Sequence, residues 1–184
     1  MEQQTIEYLN IYETNLMQGV LRLCTDLKLL EGKLLETPDI TDKWHDMAPE
    51  YVADAVKEFV KYPTVALGWA MYMGMAVARY WDEEWQIYDQ LPNLYLHVRN
   101  KRGFDYLDEV VRGDILGLKE EDYTSCEDKV RTCSQFVLDQ MRHEQIEAGS
   151  VMAFHVFARS IKVLYKIGAA VELRRSGYNL VAMN

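Results

Sequence analysis

The chain has 184 residues, 49% hydrophobic and 27% charged, with 10 Gly, 4 Pro and 3 Cys, a composition that lets a globular domain bury a core without disulfides or a structural metal. Its net charge of −9 excludes the basic surface on which nucleic-acid binding depends. The opening MEQQTIEYLN has neither the basic region nor the apolar core of a secretory signal, so the expected location is the cytoplasm.

Thr5 to about Leu35 carries Ile6, Leu9, Leu16, Val20, Leu23, Leu27 and Leu30 at steps of three, four and seven, which predicts a long amphipathic first helix. Thr37-Pro38-Asp39 should end it, leaving residues 37 to 48 as the one long connection. Pro49 suits a first-turn position behind a cap at Asp46, and Tyr51, Val52, Ala55, Phe59 and Val60 then predict a short second helix, punctuated by Pro63. A third helix is expected from about Thr64 to Asp89, stopped by Leu91-Pro92-Asn93. Its uncharged run Tyr62 to Ala78 is near the short limit of a membrane span. Pro63, two glycines, two tyrosines and the acidic cluster behind it favour a helix buried in protein instead.

Two short helices are expected at about 93 to 99 and 104 to 112, closed by Gly113. A longer element follows from about residue 119, where Tyr123, Cys126, Val130, Cys133 and Val137 alternate steps of three and four. Gly149-Ser150 supplies a stop and a fresh cap for a last helix from 151 to about Arg175. The expected architecture is all-α: one domain over 1–184, a bundle of about four long helices with two or three short ones.

The charge is unevenly placed. Residues 1 to 96 hold sixteen acidic and seven basic side chains, whereas residues 148 to 184 hold five basic and one acidic. Within that last segment His155, Arg159, Lys162 and Lys166 fall on one helical stripe. Like charges at such spacings destabilise a helix slightly unless something anionic faces them. The partner is either the acidic half of the chain or an acidic ligand or protein, which makes His155, Arg159 and Lys162 candidate binding residues. His97, Arg99, Lys101 and Arg102 form a second, smaller basic cluster, of the kind usually just solvated.

Ala66, Ala70, Gly74 and Ala78 recur at i+4 steps on the third helix, and small side chains let a neighbouring backbone come close. That neighbour is either another helix of the same chain or, with Trp69, Met71, Met73 and Met75 alongside, a subunit interface or ligand pocket. Just beyond, Trp81 and Trp85 at i,i+4 should share a face beside Asp82-Glu83-Glu84, making Trp81, Glu84 and Trp85 further binding candidates. Carboxylates between aromatic walls are the tools of glycosidases, but a solvated acidic turn beside two packed indoles accounts for the same residues.

Asp139, His143 and Glu147 lie at i, i+4 and i+8, a stripe of imidazole and carboxylate suited to Zn or Fe on an unbroken helix. The twin Glu-x-x-His motifs of di-iron bundles and the His-Glu-x-x-His of zinc proteases are both missing. An ion ladder with Arg142 explains the stripe without metal. Cys24, Cys126 and Cys133 are an odd set without a CxxC motif and read as reduced thiols, since two cysteines seven residues apart on a helix are ~10.5 Å apart, beyond disulfide reach. No phosphate-binding glycine loop or nucleophile elbow is present. The expectation is therefore a non-catalytic cytoplasmic bundle without cofactor that acts by binding, as a homo-oligomeric or small-ligand-binding module. The competing expectation is a metal-dependent enzyme centred on His143 and Glu147.

Overall fold

The computed structural model describes residues 1–179; the last five residues of the expected 1–184 domain lie outside the described ones. Among the described residues every regular element is helical, as the periodicity requires. Five helices are long: α1 (Gln3–Asp26), α2 (Pro38–Phe59), α3 (Pro63–Glu83), α7 (Glu120–His143) and α8 (Val151–Arg175). Between α3 and α7 run α4 (Trp85–Gln90), α5 (Leu94–Arg102), a 3₁₀ turn (Phe104–Tyr106), the single turn α6 (Leu107–Glu109) and a π-helical turn (Val110–Ile115).

The fifth long helix corrects the expected connection over 37 to 48. Thr37 is extended and its hydroxyl accepts the Ile40 amide at 3.3 Å, with Pro38 in the first turn, so these residues begin a helix. Ile40, Trp44, Met47, Tyr51 and Ala55, all buried, form one stripe that continues straight through Pro49. The proline lacks an amide proton but does not break the stripe, because α3 and α8 hold both halves. The Tyr165 hydroxyl donates to the Ile40 carbonyl at 2.6 Å and the Tyr51 hydroxyl to the Ala66 carbonyl at 2.6 Å. Trp44 stacks on Tyr165 at 4.8 Å between centroids.

The first helix is correspondingly shorter than expected. After Asp26 the chain turns through Lys28, whose φ is +61°, and the Leu29 amide donates back to the Cys24 carbonyl at 2.8 Å. That closure satisfies carbonyls the helix end would otherwise leave open. Leu30 and Leu35, which mimic helical spacing, are instead loop residues buried as plugs.

The centre of the fold is the crossing of α3 and α8. Thirteen residues of α3 and fourteen of α8 are buried, so both helices are sheathed on nearly all sides. Two glycines set the approach. A Cβ at Gly74 would stand 2.0 Å from the Tyr165 carbonyl oxygen, and one at Gly168 would stand 2.0 Å from that of Met71. Ala66, Ala70 and Ala78 are at most 1% exposed. Of the two neighbours expected for the stripe Ala66, Ala70, Gly74 and Ala78, the one present is another helix of the same chain, α8. Around this pair α2 packs on α3, α7 packs on α3 through Gly68, and α1 packs against α7 and α8. The buried apolar side chains of all these helices form one contiguous core.

Candidate functional site

The basic stripe of α8 meets acid from the first third of the chain. Arg159 and Lys162 both pair with Glu13 of α1, the lysine at 2.9 Å, and Lys166 lies 3.5 Å from Glu36. Arg159 also donates to the Asn10 side chain at 2.9 Å. His155 is half-buried at the head of the stripe, its ring edge-on to Phe154. Arg159, Lys162 and Lys166 are therefore engaged within the chain. The His97 cluster behaves likewise, with Arg99 on Asp54 at 3.1 Å and Arg102 on Glu109 at 3.2 Å. Burial acts to raise the Glu13 pKa, but hydrogen bonds from Lys162 and Arg159 and their charges outweigh it and hold Glu13 below the ordinary carboxylate value.

A double variant Arg159→Gln, Lys162→Gln should accordingly be less stable than the wild type at neutral pH by ~1 kcal/mol, the scale of partly exposed pairs. The gap should narrow at 1 M salt, where the screening length is only ~3 Å. Because the Glu13 pKa is depressed in the folded state, its contribution is complete above the unfolded value and lost as pH falls through the folded one. The two proteins should therefore converge in acid, and denaturant midpoints across pH and salt check this.

The aromatic and acidic candidates do not form a common site. The chain leaves helical geometry at Glu84 (φ −134°, ψ 60°), which corrects the single third helix to Asp89 and puts Trp81 and Trp85 on different helices. Trp81 donates to Asp39 at 3.0 Å and lies edge-on to Tyr178. Trp85 is 53% exposed, and Glu84 is exposed beside it. The metal stripe is broken too. Helix α7 stops at His143 and Gln145 takes φ +54°, so Glu147 leaves the face shared by Asp139 and His143. Asp139 instead accepts from Gln135 at 2.9 Å. Among the described residues no three His, Cys, Asp or Glu side chains converge as metal ligands.

Two buried features escaped the sequence reading. Arg112, 2% exposed, sits in the π-helical turn, bonded to Asp108 at 2.9 Å and lying over the Tyr123 ring at 4.0 Å. It also reaches the Tyr123 carbonyl at 3.2 Å and Glu127 at 3.4 Å, while its Nε has no partner. The second feature is a thiol pair: Cys24 of α1 lies 3.7 Å, sulfur to sulfur, from Cys133 of α7, both wholly buried. Their mutual hydrogen bond, then burial, push the Cys133 thiol far above its ordinary value, and burial pushes Cys126 up to about 11. Such thiols are poor nucleophiles.

An apolar cleft opens where several helix ends meet. Helix α2 stops at Phe59 and α3 restarts at Pro63; α7 stops at His143; the chain reverses through Gln145 and Gly149, both with positive φ, into α8, where Ser150 caps the Ala153 amide at 3.1 Å. Between these ends lies a cleft of about 600 Å³. Leu138, Val156 and Phe157 form its buried wall, and Phe59 meets Phe157 edge-to-face at 5.0 Å. Val56, Val60 and Phe154 line its rim at 43%, 88% and 47% exposure. Arg142 is the one charged residue of the lining. On the far side of Phe154 a shallow hollow carries Trp44, His45, Arg159 and Lys162.

A smaller cavity of about 360 Å³ combines Met71 and Met75 of α3 with Cys126, Lys129, Glu172 and Arg175. Glu172, 1% exposed, is held by Arg79 at 3.0 Å and Arg175 at 2.8 Å. Its carboxylate is thus already neutralised by neighbours. The apolar cleft is the better ligand site because its exposed surface has no internal partner.

No protein-family model matches the chain, and searches of curated proteins and of solved structures give no significant match.

Proposed function

We propose that the chain is a non-catalytic cytoplasmic binding protein whose cleft between α2, α7 and α8 takes one apolar small molecule. The observation that carries this reading is the cleft itself: a concave space of about 600 Å³ with a mainly apolar lining, and Val56, Val60 and Phe154 exposed at its rim. Ligand pockets fall in the range of ~300–1,000 Å³ with few polar groups, and contiguous exposed apolar surface commonly marks an interaction site. A homo-oligomeric role has less support. The small-residue stripe is already covered by α8, and two concave clefts related by a twofold axis would face each other without filling either. Three free cysteines suit a reducing compartment. No helix among the described residues is long and apolar enough to cross a membrane. A metal-dependent enzyme centred on His143 and Glu147 would need ligands that the break after α7 separates.

Ala153 lines the cleft on the first turn of α8, so Ala153→Trp should fill it from the mouth. Titration with the neutral fluorophore Nile red should show saturable binding of one molecule per chain in the wild type. The variant should lose that binding while keeping its denaturation midpoint. Unsaturable binding, or equal binding by a folded variant, would overturn the proposal.

A further inference from the structure

The cleft has a charge asymmetry that narrows its ligand. Of its lining residues only Arg142 is ionised, and the Ser150 hydroxyl already accepts the Ala153 amide at 3.1 Å. Arg142 takes part in none of the ion pairs among the described residues, although eight of the ten arginines do. The nearby carboxylate of Glu144 is engaged elsewhere, accepting from the Tyr8 hydroxyl of α1. A guanidinium with no ion-pair partner among the described residues thus stands on the edge of an apolar cleft, in a chain of net charge −9 that pairs most of its other arginines.

Resting on the binding role proposed above, we infer that the ligand is an amphipathic carboxylate: an aliphatic or aromatic body that lies against Leu138, Val156 and Phe157, with an anionic end that Arg142 receives. The buried wall offers no hydrogen-bonding side chain to a polar group, so burial there favours the apolar end and leaves the charged end outside. Arg142 is exposed, so the carboxylate reaches it while still partly hydrated and loses little solvation. The planar guanidinium presents paired donors that match the two oxygens of a carboxylate, a fit that a point charge does not reproduce.

The test compares three ten-carbon ligands, decanoate, 1-decanol and decyltrimethylammonium, on wild type and Arg142→Gln by calorimetric titration at neutral pH. Comparing each ligand with itself across the two proteins removes its differing hydrophobicity. Arg142→Gln should weaken decanoate about threefold to fivefold, the scale of one exposed ion pair. It should leave decanol within about twofold and should not weaken decyltrimethylammonium. Added salt should weaken decanoate in the wild type but not in Arg142→Gln. If decanol binds the wild type and Arg142→Gln leaves decanoate unchanged, or weakens decanoate and decanol alike, the carboxylate inference is wrong while the apolar cleft stands. If none of the three binds the wild type, the binding role fails together with it.

Discussion

Replacing Gly74 by alanine should destabilise the chain by several kcal/mol, and replacing it by leucine should leave no cooperatively folded protein. The reason is geometric. At 2.0 Å from the Tyr165 carbonyl and 2.7 Å from the Ala169 amide, the added Cβ overlaps backbone, which cannot rotate away as a side chain can. Overpacking that side chains can absorb costs about 1–3 kcal/mol; here the α3–α8 crossing itself must open, exposing the two most buried helices. Gly68→Ala is the internal control. Its Cβ would meet the Ser134 hydroxyl at 2.7 Å and a Val130 methyl at 3.2 Å, both side-chain atoms, so its loss should be clearly smaller. Denaturant midpoints of Gly74→Ala, Gly68→Ala and Gly168→Ala rank these costs. A Gly74→Ala protein as stable as Gly68→Ala would mean the two helices do not cross this closely.

Arg112→Ala is the second large loss. Its side chain is 3% exposed, and removing it leaves Asp108, itself only 15% exposed, without its cation. Breaking one half of a buried pair costs roughly 3–5 kcal/mol, because the remaining charge stays desolvated. The truncation also empties the space between the guanidinium and the Tyr72 and Tyr123 rings. For a chain of this length the thermal midpoint should fall by about 10 °C, at roughly 2–4 °C per kcal/mol. Arg112→Met with Asp108→Asn restores volume and removes the orphaned charge, so it should recover much of the loss. Thermal melts of the single and double variants decide this, and a single variant within 1–2 °C of wild type would show that the pair is not structurally important. Arg112 also anchors the π-helical turn over Val110–Ile115, so the loss should appear first as faster amide exchange in that turn.

These two positions were not equally legible in the sequence. Gly74 stood out because three alanines share its spacing, and small residues at i+4 steps have a direct packing meaning. Arg112 gave no signal: a lone arginine between Val111 and Gly113 looks like any helix end, and its partners Asp108, Tyr123 and Glu127 are gathered by a π turn that no local pattern announces. The same contrast runs through the fold. Helix α8 begins at its Gly149-Ser150 punctuation and ends where its apolar stripe does. Helix α2 was obscured by Pro49, since proline is weighted as a breaker while the stripe from Ile40 to Ala55 crosses it intact. The leucines after Asp26 keep helical spacing by coincidence, because a left-handed turn at Lys28 folds them back as plugs.

The apolar cleft was the least legible feature of all. Its residues come from the ends of α2 and α7 and the start of α8, and no two of those segments are adjacent in sequence except across the Gly149 reversal. What the sequence did carry was Val60, Val151 and Phe154 as large apolar residues near helix ends, without any indication that two of them border one opening. The charged stripe nearby is the stronger sequence pattern, and its Arg159, Lys162 and Lys166 are paired with Glu13 and Glu36. Arg142, expected in a surface ladder with Asp139, His143 and Glu147, pairs with neither carboxylate: Asp139 accepts from Gln135, and the end of α7 carries Glu147 away.

Amide hydrogen exchange of the wild-type chain with and without saturating 1-decanol tests the central claim most directly, because it locates the ligand without a mutation. The cleft predicts slowed exchange confined to the last turn of α2, the last two turns of α7 with the following loop, and the first two turns of α8. The Met71–Met75 face and the α1 pairings should be unchanged. Protection spread evenly over the chain, or concentrated around Met71, Cys126 and Arg175, would contradict the assignment of the cleft as the binding site.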